Sequence, residues 1–270
     1  TNLGGSSASQ GAGHMNAADY QTLKFTHQGP VLVLSLDRPG HMNTVNARLH
    51  TELSTVFADI AADTTVKAVV LTGEGRAFSA GGDLTWFRDM TPEERDRLFR
   101  EARKIIIDLL ELPQPIIAAV NGAAAGLGAT LALFCDIVYA DERAKILDPH
   151  VRVGITAGDG GAIIWPWLVG PARAKQYLMT GDTVDAVEAE RIGLVNKVVP
   201  RDQLLPTALG MAERLANGPQ LAIRSTKACV NKFLRDSVNL ILDTSLAVEK
   251  ECFGTDDHRA AVAAFLAQKQ

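Results

Sequence analysis

The sequence lacks the features that several common protein classes require. Its 270 residues include three cysteines, Cys135, Cys229 and Cys252, which are far apart and odd in number, so we expect neither a disulfide framework nor a zinc site. With 27 lysines and arginines against 31 aspartates and glutamates, the chain has no basic excess for binding nucleic acid. No apolar run reaches the roughly 18 residues of a membrane span. These absences favour a globular protein in a reduced, cytoplasmic setting.

The chain does have enough apolar material for a sizeable core, since 47% of its residues are hydrophobic. The exception is the segment at residues 1–15, TNLGGSSASQGAGHM, which is rich in glycine and serine. This segment lacks the apolar core of a secretory signal. We expect residues 1–15 to be a flexible, tag-like segment and the folded part of the chain to begin at residue 16.

Strand and helix patterns alternate over the first part of the chain. Apolar runs ended by proline or glycine, as is typical of buried strands, occur at residues 31–39, 67–73 and 115–122. Between them, apolar residues recur at helical spacing after Asn46 and again after Thr91, where Thr-Pro-Glu-Glu is typical of a helix N-terminus. This alternation indicates an α/β fold with largely parallel strands.

The pattern changes after the segment NKVVP at residues 196–200. The rest of the chain has no convincing strand and shows amphipathic helical spacing. We predict four helices there, over residues 201–217, 219–234, 238–252 and 256–269. The sequence therefore predicts an α/β core over residues 16–200 and a C-terminal helical module over residues 201–270.

Two loops of small residues each follow an apolar strand and precede a helix. They are AFSAGGDL at residues 77–84 and NGAAAGLGATLAL at residues 121–133. A helix N-terminus offers unpaired backbone N–H groups, and small side chains let a ligand approach them. Two such loops facing each other can hold an oxygen atom that gains negative charge, although glycines also serve tight turns and close packing. Neither loop is a GxGxxG or GxxxxGK[ST] motif, so nucleoside-triphosphate chemistry is not expected.

The chain resembles the crotonase superfamily, also called the enoyl-CoA hydratase/isomerase family. The resemblance runs over nearly all of residues 20–270 and is carried by residues 36–46 (LDRPGHMNTVN), 75–84 (GRAFSAGGDL), 115–140 and 170–199. It implies a crotonase-like spiral of ββα units with a C-terminal helical module that builds homotrimers, often paired into hexamers. It also implies an acyl-CoA thioester substrate, with coenzyme A as part of that substrate, no separate cofactor and no metal.

The resemblance further implies which residues form the site. By position in the two loops, the backbone N–H groups of Ala80 and Leu127 would form an oxyanion hole for the thioester carbonyl as it becomes an enolate. The coenzyme would lie near the RPGHMN segment and beside the two glycine loops. The implied binding residues are Arg38, His41, Arg76, Ala77, Gly81, Gly126 and Thr130.

The chain departs from the hydratase pattern at two positions. Hydratases of this family usually place two glutamates over the substrate, and the matching positions here are Thr130 and His150. His150 lies in the stretch DPHVRVGITAGDGGAIIWP, residues 148–166, nine positions before Asp159. A histidine can accept a proton from water near neutral pH, and a carboxylate on its other nitrogen fixes its tautomer. We predict His150 as the general base and Asp159 as its partner or as a second acid or base, a pair that also resembles the β-diketone hydrolase branch.

Four functions fit these residues. The leading prediction is a hydro-lyase that is enoyl-CoA hydratase-like, with the His/Asp pair in place of the two glutamates. The alternatives are a retro-Claisen C–C hydrolase of a β-diketone, an enoyl- or dienoyl-CoA isomerase that uses Asp159, and a catalytically silent acyl-CoA-binding paralogue. Trp86, Trp165 and Trp167 are candidates for lining the acyl pocket or for packing in the core.

Overall fold

The computed structural model describes residues 16–267, so the segment predicted to be tag-like, residues 1–15, lies outside the described part of the chain. Within that part, nine strands form two sheets. The strands are β1 (Leu23–Gln28), β2 (Val31–Leu36), β3 (Ala68–Gly73), β4 (Ile116–Val120), β5 (Ala123–Ala125), β6 (Ile137–Asp141), β7 (Lys145–Leu147), β8 (Val184–Asp185) and β9 (Lys197–Val199).

The larger sheet has six strands in the order β1-β2-β3-β4-β6-β9, and it is parallel except at the edge where β1 runs antiparallel to β2. Every residue of β2 and β4 is buried, because helices cover both faces of such a sheet. The sequence pattern does not predict β1, whose mostly exposed residues reflect its place at the edge. The smaller sheet has the order β5-β7-β8.

The described residues also contain nine α-helices, which surround the two sheets. They are α1 (Ala47–Ala62), α2 (Leu84–Asp89), α3 (Pro92–Glu111), α4 (Leu127–Leu133), α5 (Gly161–Thr180), α6 (Ala186–Arg191), α7 (Arg201–Ala216), α8 (Gln220–Cys252) and α9 (Asp256–Ala267). None of these helices is both long enough and apolar enough to cross a membrane.

Two helices begin at the predicted capping residues. The Asn46 side chain accepts a hydrogen bond from the Leu49 N–H at 3.0 Å, which starts α1. Thr91 and Glu94 form a reciprocal capping box that starts α3. The two helices pack in one apolar core with Leu71 of β3. The residue before it in the strand, Val70, packs in a second apolar core with α7. Alternate strand residues point to opposite faces, so the large sheet lies between these helix layers.

The C-terminal region is helical as predicted, but the number of helices differs. The predicted helices over residues 219–234 and 238–252 form one continuous helix, α8. The residues between the two predictions, Asp236 and Ser237 among them, include neither glycine nor proline, so nothing in the backbone ends the helix there. Helix α8 packs against α3 and α5, and it therefore extends over the α/β core.

Candidate active site

A cavity of about 990 Å³ lies beside the loops that follow the carboxyl ends of β2, β3, β5 and β7. Parallel strands bring such loops to one edge, where open α/β sheets commonly bind ligands. Apolar side chains from the helices close the other side, among them Phe87, Leu98, Phe253 and Phe265. A cavity of this size accommodates a small-molecule ligand.

The N–H group of Ala80, predicted as an oxyanion donor, is already occupied. It donates to the carbonyl of Met42 at 3.0 Å. Ala80 lines the cavity, but a substrate oxygen would have to displace Met42 to use this donor, since a backbone N–H group is a single donor. The assignment of Ala80 therefore needs correction in this conformation.

A free donor of the first glycine loop lies two residues later, at Gly82. The Val45 N–H donates to Gly81 O at 2.8 Å, and the Asp83 N–H donates to Val45 O at 2.9 Å. The N–H of Gly82 lies between these two bonds in the chain and has no acceptor among the described residues. Gly82 also lines the cavity. Its N–H group is thus one that this loop leaves for a ligand.

Asn43 holds the first loop in place. Its side-chain amide donates to the carbonyls of Glu74 at 2.9 Å and Ala77 at 2.8 Å, and its side-chain oxygen accepts from the Arg38 N–H at 2.8 Å. The Ser79 hydroxyl donates to the Asn43 carbonyl at 2.8 Å. Asn43 has φ of 53°, a left-handed conformation that asparagine tolerates better than most residues. Residues 74–80 are therefore preorganised by one buried side chain.

The second glycine loop supplies Leu127, the first residue of α4. Its N–H group has no acceptor among the described residues, and no side chain caps this helix. Gly126 has φ of 52° and ψ of −127°, which a residue with a Cβ atom rarely adopts. A Cβ at Gly126 would lie 3.4 Å from Cε1 of His150 and 3.9 Å from Cα of Gly81. This glycine lets both loops and the His150 ring meet at one place.

His150 lies between two carboxylates. It begins a short 3-10 turn (His150–Val153) after β7, and its buried ring lines the cavity. Its Nδ1 hydrogen-bonds Oδ1 of Asp148, and its Nε2 lies 3.5 Å from Oδ2 of Asp159. The structure brings the two sequence-predicted residues together, and it adds Asp148, which orients the ring.

The buried side chain of Asp148 lies against the first turn of α5. Its Oδ2 lies so close to Gly161 that any Cβ at that position would clash with it. The positive end of a helix dipole favours a carboxylate in this place. Asp148 is not among the residues predicted from the sequence, although its position two residues before His150 in DPH is a pattern that could identify it.

Asp159 faces the cavity and does not cap a helix. The N-cap of α5 is Gly160, with φ of 113°. Oδ1 of Asp159 accepts a hydrogen bond from the Thr130 hydroxyl at 3.4 Å. Thr130 is fully buried and does not line the cavity, so it supports Asp159 and does not make the predicted direct contact with a ligand.

A third buried carboxyl group, Glu249, comes from α8. Helix α8 approaches closely at Gly158, where a Cβ would lie 2.6 Å from Oε2 of Glu249 and where the Ser245 hydroxyl donates to the carbonyl at 2.7 Å. Glu249 lines the cavity, and its Oε2 has no hydrogen-bond partner among the described residues. The sequence does not identify this residue, because a glutamate in an amphipathic helix is ordinarily exposed.

These buried groups change one another's affinity for protons. Burial by itself lowers the pKa of His150, but the charges of Asp148 and Asp159 and the hydrogen bonds with them outweigh it and raise that pKa well above its usual value. Burial raises the pKa of Glu249 well above its usual value, and the charge of Asp159 adds to the rise. These shifts favour the imidazolium form of His150 and the uncharged acid form of Glu249.

A second histidine, His50 of α1, lines the same cavity. It is buried, and its Nδ1 donates to Oε2 of Glu101 on α3 at 2.7 Å. The Thr51 hydroxyl donates to the other oxygen of Glu101 at 2.9 Å. The His50 ring lies 5.8 Å from the indole of Trp86. His50 is not among the residues predicted from the sequence, since its helical position resembles that of any core residue.

Two residues predicted to bind the coenzyme, Arg38 and Ala77, do not line the cavity. The Arg38 guanidinium donates to the carbonyl of Thr44, and burial lowers its pKa. Ala77 is buried, and its carbonyl accepts from Asn43 at 2.8 Å. Both residues hold the loops in place. The predicted binding residues that do line the cavity are His41, Arg76, Gly81 and Gly126.

The three tryptophans have different surroundings. Trp86 lines the cavity, as one of the two interpretations predicts. Trp165 is fully buried and packs in the core, as the other interpretation predicts. Trp167 is 45% exposed and belongs neither to the wall of the cavity nor to the apolar core. Only Trp86 of these three can touch a ligand in this cavity.

Asp148, His150 and Asp159 also have the composition of a small metal site. One ligand atom from each lies within 4.8 Å of the others. However, the hydrogen bond between Nδ1 of His150 and Asp148 engages two of these ligand atoms with one another. Metal-binding histidines use such a carboxylate bond on the nitrogen that does not bind the metal, which would leave one nitrogen and one carboxylate here. We therefore interpret the group as a charged hydrogen-bonded set.

Comparison with known proteins gives one family over most of the chain. Residues 26–270 match the family described as enoyl-CoA hydratase/isomerase. The crotonyl-CoA hydratase of Syntrophomonas wolfei is 35% identical over 256 residues, which cover 93% of this chain and 97% of that protein.

Solved structures show the same fold. An enoyl-CoA hydratase/isomerase from Mycobacterium paratuberculosis is 37% identical, with a TM-score of 0.88 over 91% of this chain and 99% of that one. A β-diketone hydrolase from the cyanobacterium Anabaena, solved with (S)-3-oxocyclohexyl acetic acid, is 31% identical, with a TM-score of 0.80 over 87% of this chain and 95% of that one.

Proposed function

The chain belongs to the enoyl-CoA hydratase/isomerase family, and we propose that it adds water to an α,β-unsaturated acyl-CoA with His150 and Asp159 in place of two glutamates. Relatives that are named hydratases support this reaction class. The observation that carries the proposal is the placement of His150. Its Nε2 lies 3.5 Å from Asp159, and its ring lies against Gly126 at the edge of the second glycine loop.

The thioester oxygen would accept hydrogen bonds from the backbone N–H groups of Gly82 and Leu127. Both residues line the cavity, and both groups lack an acceptor among the described residues. Two fixed donors stabilise an enolate oxygen without reorganising as the charge develops. Gly82 replaces Ala80 in this role because the Ala80 N–H is bonded to Met42.

The raised pKa of His150 favours this residue as the acid and leaves Asp159 as the base. A protonated His150 is a proton donor, so Asp159 takes the proton from water as the water oxygen bonds to the β-carbon of the substrate. The resulting enolate takes a proton at its α-carbon from Nε2 of His150. Transfer of the proton from Asp159 to His150, 3.5 Å away, then restores the site. The sequence analysis predicts the opposite order, with His150 as the base.

Hydration of crotonyl-CoA tests this function through the loss of the absorbance of the conjugated thioester. We expect turnover by the native protein and a loss of at least about a hundredfold in kcat for His150→Ala and for Asp159→Asn, which is the lower range for general acid–base catalysis. His27→Ala, on the exposed part of β1, is the control and should match the native rate. Turnover that survives in both site variants would contradict the assignment.

A second candidate is hydrolysis of a C–C bond in a β-diketone. The absence of both glutamates favours it, as does the β-diketone hydrolase from Anabaena among the structural neighbours. Water activated by the same pair would attack one carbonyl, and the departing carbanion would be held as an enolate. A cyclic β-diketone without coenzyme A, assayed beside crotonyl-CoA, distinguishes the two reactions.

We also propose that copies of this chain associate with one another. Helix α8 exposes large apolar side chains along its length, including Leu221, Phe233 and Leu240, which are 72–83% exposed in the single chain. Apolar residues in such number on one exposed helix favour burial against another copy. We expect trimers or hexamers, which sedimentation would detect.

A further inference from the structure

The wall of the cavity contains a polar group that the proposed hydration does not use. Phe87 lies against Gly82, where a Cβ would come within 2.5 Å of the ring. The Phe87 ring lies 5.6 Å from the Trp86 ring, which in turn lies 5.8 Å from the His50 ring. This row of rings leads from the proposed oxyanion donor to His50. An acyl chain that extends from the thioester past Phe87 would approach His50.

One nitrogen of His50 is committed and the other is not. Burial alone would raise the pKa of Glu101, but its hydrogen bonds with His50 and Thr51 lower it, so Glu101 is ionised. An ionised carboxylate only accepts hydrogen bonds, so Nδ1 of His50 carries the proton. Nε2 has no partner among the described residues. It is the atom that His50 can offer to a ligand.

Trp86, whose ring lies 5.8 Å from the His50 ring, adds an unpaired donor to this wall. Its indole Nε1–H is shielded from water and has no acceptor among the described residues. Most other side chains at this wall are apolar, as Leu98, Ala102 and Phe253 are. A hydrocarbon chain would leave both polar groups unpaired in the complex. A hydroxyl group satisfies both, because it donates one hydrogen bond and accepts another.

We propose that the cavity selects an acyl-CoA whose acyl group carries a hydroxyl group that reaches His50 and Trp86. This proposal rests on the acyl-CoA function proposed above and adds the class of acyl group. Nε2 of His50 accepts the hydroxyl proton, and the Trp86 N–H donates to the hydroxyl oxygen. A site built to pair with a hydroxyl group discriminates against the analogue that lacks it.

Binding of saturated ligands, which the proposed hydration cannot consume, tests the proposal separately from the reaction. Hexanoyl-CoA would be compared by calorimetry with its 4-, 5- and 6-hydroxy derivatives on the native protein. We expect at least one hydroxylated ligand to bind about five- to tenfold more tightly, the gain typical of a paired hydrogen bond. In His50→Leu this ratio should fall to one or below, and His50→Gln should recover part of it. Equal affinities for all four ligands, or a preference that persists in His50→Leu, would overturn the proposal.

Two further variants separate recognition from damage to the fold. Trp86→Phe keeps a ring and leaves Glu101 paired, and it should lose the preference without changing the melting temperature by more than a few degrees. His41→Leu makes the same chemical change elsewhere in the cavity and should leave the ratio unchanged. If hexanoyl-CoA itself fails to bind, the acyl-CoA function falls and this inference falls with it. If the preference is found but crotonyl-CoA is not hydrated, only the proposed reaction falls.

Discussion

Two histidines line one cavity, and each forms a hydrogen bond to a carboxylate through its Nδ1. The carboxylate is Asp148 for His150 and Glu101 for His50. They differ at the other nitrogen. Nε2 of His150 lies 3.5 Å from Asp159, whereas Nε2 of His50 has no partner among the described residues. A second carboxylate makes a histidine hold its proton and suits it to give that proton away. With one carboxylate, the same ring is suited to hold a ligand in place.

Removing each histidine should produce the largest contrast. His150→Ala is expected to lower kcat for crotonyl-CoA by at least about a hundredfold, because it deletes the proposed proton donor. His50→Ala should lower it by less than about tenfold, since the short acyl group does not need the contact with His50. Steady-state rates of both variants, beside the native protein, measure the contrast. Equal losses of kcat in the two variants would show that the two histidines do not have these different roles.

Asp159→Asn should make His150 resemble His50. The change keeps the shape of the side chain and removes the second negative charge, so the pKa of His150 should fall and the proposed base is lost. We expect kcat to fall by about a hundredfold with a much smaller change in KM. A variant with native kcat would indicate that water is activated by another group.

Asp148→Asn should affect only one of the two rings. Loss of this charge lowers the pKa of His150, because the charge of Asp148 raises that pKa more than the charge of Asp159 does. NMR titration of the histidine Cε1 proton signals would show His150 losing its proton at lower pH than in the native protein. The His50 signal is the internal control and should not move. An unchanged His150 titration would mean that Asp148 only positions the ring.

Glu249→Gln should have the smallest effect, on stability. The pKa of Glu249 is raised on folding, so its contribution to stability is fully present below about pH 4.5 and is lost as the pH rises through the folded pKa. Glutamine has no such loss. From about pH 5 to pH 8 the melting temperature of the native protein should therefore fall relative to the variant, by about 2–4 °C for each kcal/mol. A constant difference across this range would show that Glu249 does not stay protonated.

Much of the fold follows from local patterns, because strands ended by glycine or proline and helices with capping residues are encoded by neighbouring residues. The caps at Asn46 and Thr91 are confirmed for this reason. The single helix α8 shows the limit of this approach, since a change in amphipathic face does not break a backbone that lacks glycine and proline.

The site could be predicted only in part. The sequence indicates His150 and Asp159 through the resemblance to a known family, in which His150 takes the position of a glutamate. It cannot indicate Glu249 or the pair of His50 with Glu101, because contacts between distant helices leave no local pattern. The choice of Gly82 over Ala80 depends on a single hydrogen bond to Met42, which only three-dimensional coordinates reveal.

The close approach of α8 at Gly158 has a consequence for how the enzyme assembles. Because that helix carries Glu249 into the cavity, a helix that follows the α/β core in the chain completes the wall of the cavity. The site therefore matures only when the C-terminal region docks, and local opening of α8 would silence the enzyme before the sheet unfolds. Backbone amide hydrogen exchange in α8 should then become faster under the same conditions that cause loss of activity.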